Sequence, residues 1–305
     1  MSTAASILRR AALFCAAFLP VAAAAAEKPS QHFMPSGPWA MEYADEGCRL
    51  IRKFTDGKTD ITLALERFSL EPALRLGLTG DGLAISHVNR IEFRWGDEKP
   101  RTSQYLSVTL ADGRSAYLFP SASLNEPETP ATSSKPWPSP PSPGKPLPEL
   151  LKAERETASR VSVIAVTKGF PAPLVFDVGR MAGPIEAMQK CADDLVASWG
   201  VDTGRFMAKS RAAMPANDPV RWVESDDYSL KELSSYSGEV VRARLVLDAD
   251  GKIEKCMVDV AKHGPFEQAV CGNIMTRAKF APALDAEGKP FRSYYVRTWR
   301  FLIPF

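Results

Sequence analysis

Histidine is scarce: His32, His87 and His263 are the only three in 305 residues. None stands in H-E-x-x-H, no G-x-S-x-G occurs, and no two cysteines are spaced C-x-x-C. Helix-borne zinc ligands, a nucleophile elbow and a dithiol redox motif are therefore not spelled out. "GLTGDG" (77–82) is rich in glycine, yet it is neither a dinucleotide fingerprint nor a phosphate-binding loop and reads as turns. Ser86-His87 reads as a solvated loop pair. The acidic residues are scattered, with no prominent carboxylate pair. These gaps argue against an enzyme and call for no cofactor and no metal. A site in the N-terminal half that carries no known motif is the remaining enzymatic alternative.

Long apolar runs are lacking as well. Beyond the first 26 residues nothing approaches the 18 or so apolar residues that a spanning helix needs. Those first residues have the layout of a secretory signal: Arg9 and Arg10, then "AALFCAAFLPVA", then small residues up to Ala26. Cleavage is expected near Ala26. Cys15 does not make a lipobox, because Phe14 precedes it where a small residue belongs. Retained, the segment would be an alanine-rich anchor, the one route by which this chain would meet a membrane.

Excess charge of either sign is missing too. Arg9 and Arg10 leave with the signal, so 38 basic side chains become 36, against 36 acidic ones. A near-neutral chain offers no nucleic-acid surface and no polybasic membrane patch. Export places it in an oxidising compartment, here the periplasm. Cys48, Cys191, Cys256 and Cys271 remain, an even number that reads first as disulfides.

What is present is mostly strand-like. "DITLALERF", "ALRLGLTG", "RIEFRWGD" and "QYLSVTLADGRSAYLF" alternate between glycine-bearing turns and predict an antiparallel β unit from Trp39 to about Phe119. Nine prolines crowd residues 127–148, which predicts an extended, solvated loop. "RVSVIAVTKG" and "PLVFDVG" resume the strands. "GPIEAMQKCADDLVASWG" has helical spacing, with Ile185, Met188, Cys191 and Leu195 on one face and Gly200 at its end. A Cys48–Cys191 bridge would then tie an early strand to the last helix of an N-terminal domain spanning 27–200. Residues 201–237 show little period and read as a linker.

The C-terminal segment, 238–305, has a different rhythm. "VVRARLVL" and "KIEKCMVDVA" flank the turn "DADG", with Gly251 free to take positive φ. Pro265 suits a helix start, and Phe266, Val270 and Ile274 follow at helical spacing. "SYYVRTWRFLIPF" is a closing strand, so the order is ββαβ and the chain as a whole is α+β. Cys256 lies on the second strand and Cys271 on the helix. A bridge between them would close a short loop, worth about 3 kcal/mol on the chain-entropy model. His263 falls in that loop. Zinc on Cys256, His263 and Cys271 would lack a fourth ligand.

These residues resemble the C-terminal domain of the TonB family. The carriers are Gly238-Glu-Val, Gly251 in "DADG", Phe280-x-Pro282 in "AKFAPA", Gly288-x-Pro290 in "DAEGKP" and the aromatic closing strand. "DYSLKEL" (227–233) is similar to the family's lead-in, with Ser229 in place of its proline. The resemblance covers about 75 of 305 residues. It implies a periplasmic interaction module that binds a protein or peptide by strand pairing, with Tyr294, Val296, Thr298, Arg300 and Leu302 on the candidate pairing strand. It also implies one cysteine on the second strand and one on the helix, as in some exported members. An outer-membrane transporter is the partner that the family's energy transducers would suggest. A cleaved signal departs from that plan, so two expectations stand: a periplasmic scaffold or binding protein, or an energy transducer with its anchor retained.

Overall fold

A computed structural model of the chain describes residues 29–86, 90–110, 112–125, 145–229, 240–259 and 265–300. Within them the alternating runs become strands whose apolar side chains point inward. In β4 (Asp60–Arg67), for example, Ile61, Leu63 and Leu65 are fully buried. The strands before it are β1 (Gln31–Pro35), β2 (Ala40–Ala44) and β3 (Gly47–Thr55). After it come β5 (Arg75–Gly80), β6 (Ile91–Trp95), β7 (Arg101–Ser103), β8 (Leu106–Thr109), β9 (Ser115–Phe119), β10 (Val163–Lys168) and β11 (Leu174–Asp177).

These eleven form one sheet in the order β7-β6-β10-β11-β1-β3-β4-β5-β9-β8, with β2 alongside β3. The seam is β1. Gln31–Phe33 pair with β11 in parallel, whereas Met34 and Pro35 pair antiparallel with β3. An all-antiparallel unit starting at Trp39 was expected, and β1 departs from it on both counts. A strand that serves two neighbours over five residues is too short to show a period of its own.

Two helices belong to this unit. In α2 (Ala182–Ser198), Ile185, Met188, Cys191, Ala192 and Leu195 are buried and the helix packs on β3. The other, α1 (Leu147–Arg160), was not anticipated. Its inward positions are Leu147, Leu151, Glu154, Thr157 and Ala158, and a stripe holding a glutamate and a threonine does not read as an apolar face. Glu154 is fully buried because it pairs with Arg67 at the end of β4 and accepts from Gln189 Nε2 at 2.7 Å. Of the proline-rich 127–148, Leu147 and Pro148 open this helix, where a proline in the first turn costs no hydrogen bond.

Residues 201–229 carry α3 (Thr203–Met207), β12 (Met214–Pro215) and two short 3-10 turns. Trp222, fully buried, packs on Phe280, Tyr295 and Trp299 at ring distances of 5.2, 6.0 and 6.4 Å. The C-terminal unit follows: β13 (Val240–Leu247), β14 (Ile253–Asp259), α4 (Pro265–Arg277), β15 (Phe280–Ala281), β16 (Ala283–Leu284), β17 (Pro290–Phe291) and β18 (Ser293–Arg300). Its main sheet has the order β14-β13-β18, all antiparallel. The pairs β12-β15 and β16-β17 fasten the chain around it. Val241, Ala243 and Leu245 on β13 join Phe266, Val270 and Ile274 of α4 in the core. The chain is α+β, with two disulfides, Cys48–Cys191 and Cys256–Cys271. Among the described residues no helix is long and apolar enough to cross a membrane.

Candidate functional site

A three-stranded sheet with one helix on it has a second face and two edges left to account for. The helix side of β13 uses Val241, Ala243 and Leu245. Strand alternation therefore sends Arg242 and Arg244 to the opposite face. In sequence such a face reads as solvated. Here the N-terminal unit covers it.

Arg244 crosses to that unit, donating from Nη1 to the Glu46 carbonyl (3.1 Å) and from Nη2 to that of Asp45 (3.3 Å). Its guanidinium lies 3.7 Å from the centroid of the Trp199 ring. Arg75 of β5 makes the complementary crossing. It pairs with Glu66 and with Asp259 on β14, the latter at 2.9 Å. Arg75 and Arg242 stand on the Phe68 ring, 4.6 and 4.3 Å from its centroid. Burial opposes ionisation of Glu66, yet Arg75 and Arg49 outweigh it and hold the carboxyl below the usual range. Burial, reinforced by the nearby Arg75, pushes the Arg242 guanidinium down to about 10.

Tyr294 anchors the same interface from β18. Its side chain is 4 % exposed. The hydroxyl donates to Glu71 Oε2 (2.7 Å) and accepts from the Leu70 N–H (3.1 Å). The ring stacks on Phe206 at 4.4 Å and meets Trp199 edge-on at 5.5 Å. Between these anchors lies a shallow, half-open cleft, lined by Phe68 and Glu46 from one unit and by Arg242, Arg244, Met257, Val258, Asp259 and Val296 from the other.

The residues singled out in the sequence fall into three groups. The four cysteines are joined as expected, each bridge tying a strand to a helix. Neither pair offers a free thiolate as ligand or nucleophile. The motif residues Gly251, Phe280, Pro282, Gly288 and Pro290 shape the scaffold. Gly251 has φ +84°, and a Cβ there would stand 2.6 Å from the Phe280 carbonyl oxygen, so the "DADG" turn and the Phe280-x-Pro282 segment meet through a position only glycine fills. Phe280 is 8 % exposed, Pro282 offers its carbonyl to Arg211 at 3.0 Å, Gly288 turns at φ +76° and Pro290 pairs with Leu284. Gly238, His87, His263 and Leu302 lie outside the described residues, as do the first 26 and positions 127–144. His32 is on β1 with its ring 2.9 Å from the Ser30 hydroxyl, at the surface. Among the described residues no three His, Cys, Asp or Glu side chains gather as a metal would require.

On the third group, the closing strand, the structure is specific. β18 pairs along its length with β13, from Ser293–Leu247 to Arg300–Val240, and among the described residues no strand pairs with its other side. Tyr294 is spent on the interdomain contact, Val296 is half-buried at the cleft and Thr298 is exposed. The arginine face of β13 went unnoticed in the sequence. Its signal was there in the alternation of Arg242 and Arg244 with apolar neighbours, but alternation cannot tell a face turned to water from one turned to another domain. No family model, curated protein or solved structure matches the chain.

Proposed function

We propose that this is an exported, periplasmic interaction protein with a TonB-like C-terminal module, which binds a protein or peptide partner by adding a strand to β18. The observation that carries the reading is the edge position of β18: eight residues, fully laddered on one side and unpaired among the described residues on the other. Such an edge presents a row of backbone donors and acceptors to an extended partner. The interdomain anchors favour recognition over motion. Tyr294, Arg244 and Arg75 hold the sheet face against the N-terminal unit, so the edge is presented on a fixed platform. The acyl, phosphoryl and hydride-transfer motifs missing from the sequence fit a non-enzymatic role.

A photo-crosslinking amino acid placed at Thr298 on β18, with Thr102 on the edge strand β7 as control, tests this in cells. Discrete adducts from position 298 and none from 102 are expected. The same adducts from both positions, or none from 298, would remove the basis for the reading. Energy transduction with a retained anchor is the second reading, motivated by the "AALFCAAFLPVA" run. Sequencing the N-terminus of the exported protein separates them: a start near Glu27 ends the transducer, and a start at Met1 ends the secreted form.

A further inference from the structure

Of the arginines with described side chains on the C-terminal sheet, one has no polar partner. Arg242 has its ionic contact with Asp259 at 3.9 Å, and Arg244 donates to the Glu46 and Asp45 carbonyls. Just before β18, Arg292 pairs with Glu254 at 2.7 Å. Arg297, in the middle of β18, makes no hydrogen bond and no ion pair with any described residue, and its Nε is buried without a partner. Its guanidinium lies 5.6 Å from the centroid of the Trp299 ring. β18 carries Arg300 besides Arg297 and no acidic residue, and its neighbour β13 carries no acidic residue either.

Strand alternation puts Tyr295, Arg297 and Trp299 on one face, opposite Leu245, Ala243 and Val241 of β13. The rings on either side of Arg297 are held in place. Tyr295 packs on Phe280 at 5.0 Å, and Trp299 Nε1 donates to the Pro219 carbonyl at 3.3 Å. The arginine thus stands half-buried between two aromatic side chains, on an edge where no further strand is paired among the described residues. A guanidinium carries five N–H donors, and burying them without acceptors is costly. A strand added to β18 would set one of its own side chains directly beside Arg297, with about 5 Å between the Cβ atoms. An acidic side chain there supplies the missing acceptors through a charge-assisted bond. The residues two positions to either side of it would lie against Tyr295 and Trp299, where apolar side chains fit.

We propose that the segment recognised at β18 is an extended peptide with an acidic residue opposite Arg297 and apolar residues two positions to either side. This rests on the strand-addition reading and names the chemistry of its partner. A second copy of this chain fits less well, because β18 laid edge to edge on itself offers Arg297 only neutral or cationic neighbours.

Proton–nitrogen spectra of the full exported protein, followed at the amides of Tyr295–Trp299, test this with three synthetic peptides. The first is acetyl-Thr-Val-Thr-Asp-Thr-Val-Thr-amide, whose pattern is the same in both directions and so fits parallel or antiparallel addition. The second has Asn in place of Asp. The third, acetyl-Thr-Val-Asp-Thr-Thr-Val-Thr-amide, keeps the charge but moves it to the other face of the strand. Saturable shifts are expected with the first peptide, which should bind about fivefold or more tighter than either of the others. Arg297→Gln should shrink that advantage below about twofold. The comparison among peptides needs no variant and stands if Arg297→Gln fails to fold. Equal binding of the Asp and Asn peptides at β18, or of the two acidic peptides, would overturn the acidic specificity and leave strand addition in place. No saturable shift at these amides with any peptide would overturn strand addition and this inference with it. Shifts at the same amides that grow with protein concentration in the absence of peptide would show that the edge takes a second copy, and would also overturn the proposal.

Discussion

Replacing Tyr294 with phenylalanine removes one oxygen and keeps the ring stacked on Phe206. The lost hydroxyl served two partners. Leu70, 1 % exposed, would be left with its N–H unpaired inside the interface, and an orphaned buried donor costs about 1–3 kcal/mol. Glu71 is half-exposed and can turn to water, so its lost charge-assisted bond adds only about 1 kcal/mol. The expected loss of unfolding free energy is therefore about 3 kcal/mol near pH 8, read from urea denaturation of the disulfide-intact protein. The pH dependence makes the test sharper. Burial, with the charge of Glu71 behind it, raises the Tyr294 hydroxyl well above its ordinary value. Above pH 10 the unfolded chain releases this proton while the folded chain keeps it. Folded protein then binds more protons, so its stability falls as pH rises. With an ordinary tyrosine value of about 10, the contribution lost between pH 9 and 11 is about 1.4 kcal/mol. Phenylalanine has no such proton to release. The gap between wild type and Tyr294→Phe should thus narrow from about 3 to about 1.5 kcal/mol over that range. A gap under about 0.5 kcal/mol at pH 8, or one that does not change with pH, would refute the anchoring role.

The disulfides predict close to zero free thiols when unreduced exported protein is titrated in denaturant; two or four would remove one or both bridges. On the chain-entropy model, losing Cys256–Cys271 costs about 3 kcal/mol and losing Cys48–Cys191, with its sequence separation of 143, about 5 kcal/mol, measurable by calorimetry of the serine variants. Glu154→Gln should destabilise by about 3–5 kcal/mol because it strands the buried Arg67 charge, whereas the double change Arg67→Met, Glu154→Leu should recover most of that loss; equal losses in the two proteins would contradict this. Gly251→Ala should cost about 3 kcal/mol, through positive φ and the approach to the Phe280 carbonyl, and a neutral result in thermal melts would show that the turn can shift.

How much of this could be read beforehand varies with how local the cause is. The hairpin at "DADG" depends on one glycine and two alternating strands, all within 20 residues, and it is where the sequence placed it. The strand-to-helix bridges follow from cysteine parity and from which elements carry them. α1 escaped because its buried stripe contains Glu154, whose burial is explained by Arg67, 87 positions away, and by Gln189 on α2. β1 escaped because its two partners lie on opposite sides of it and neither is its neighbour in sequence. The interdomain face escaped for the same reason: Arg242, Arg244 and Tyr294 look like ordinary surface and edge residues until Asp45, Glu46, Phe68 and Glu71 are brought to them. Local rules set the elements, and long-range ionic and aromatic contacts decide which of their faces are closed.

The proposed partner site is the edge of β18, unpaired among the described residues, and amide hydrogen exchange on the free protein tests that most directly. In an antiparallel pair every second residue points its N–H towards its neighbour and the others point it away. If β18 is a free edge, protection along Ser293–Arg300 should alternate, with the amides facing β13 exchanging far more slowly than those facing outward, while β13, paired on both sides, is protected throughout. Uniform slow exchange along all eight residues of β18 would mean that the edge is already covered, and strand addition at this site would have to be abandoned.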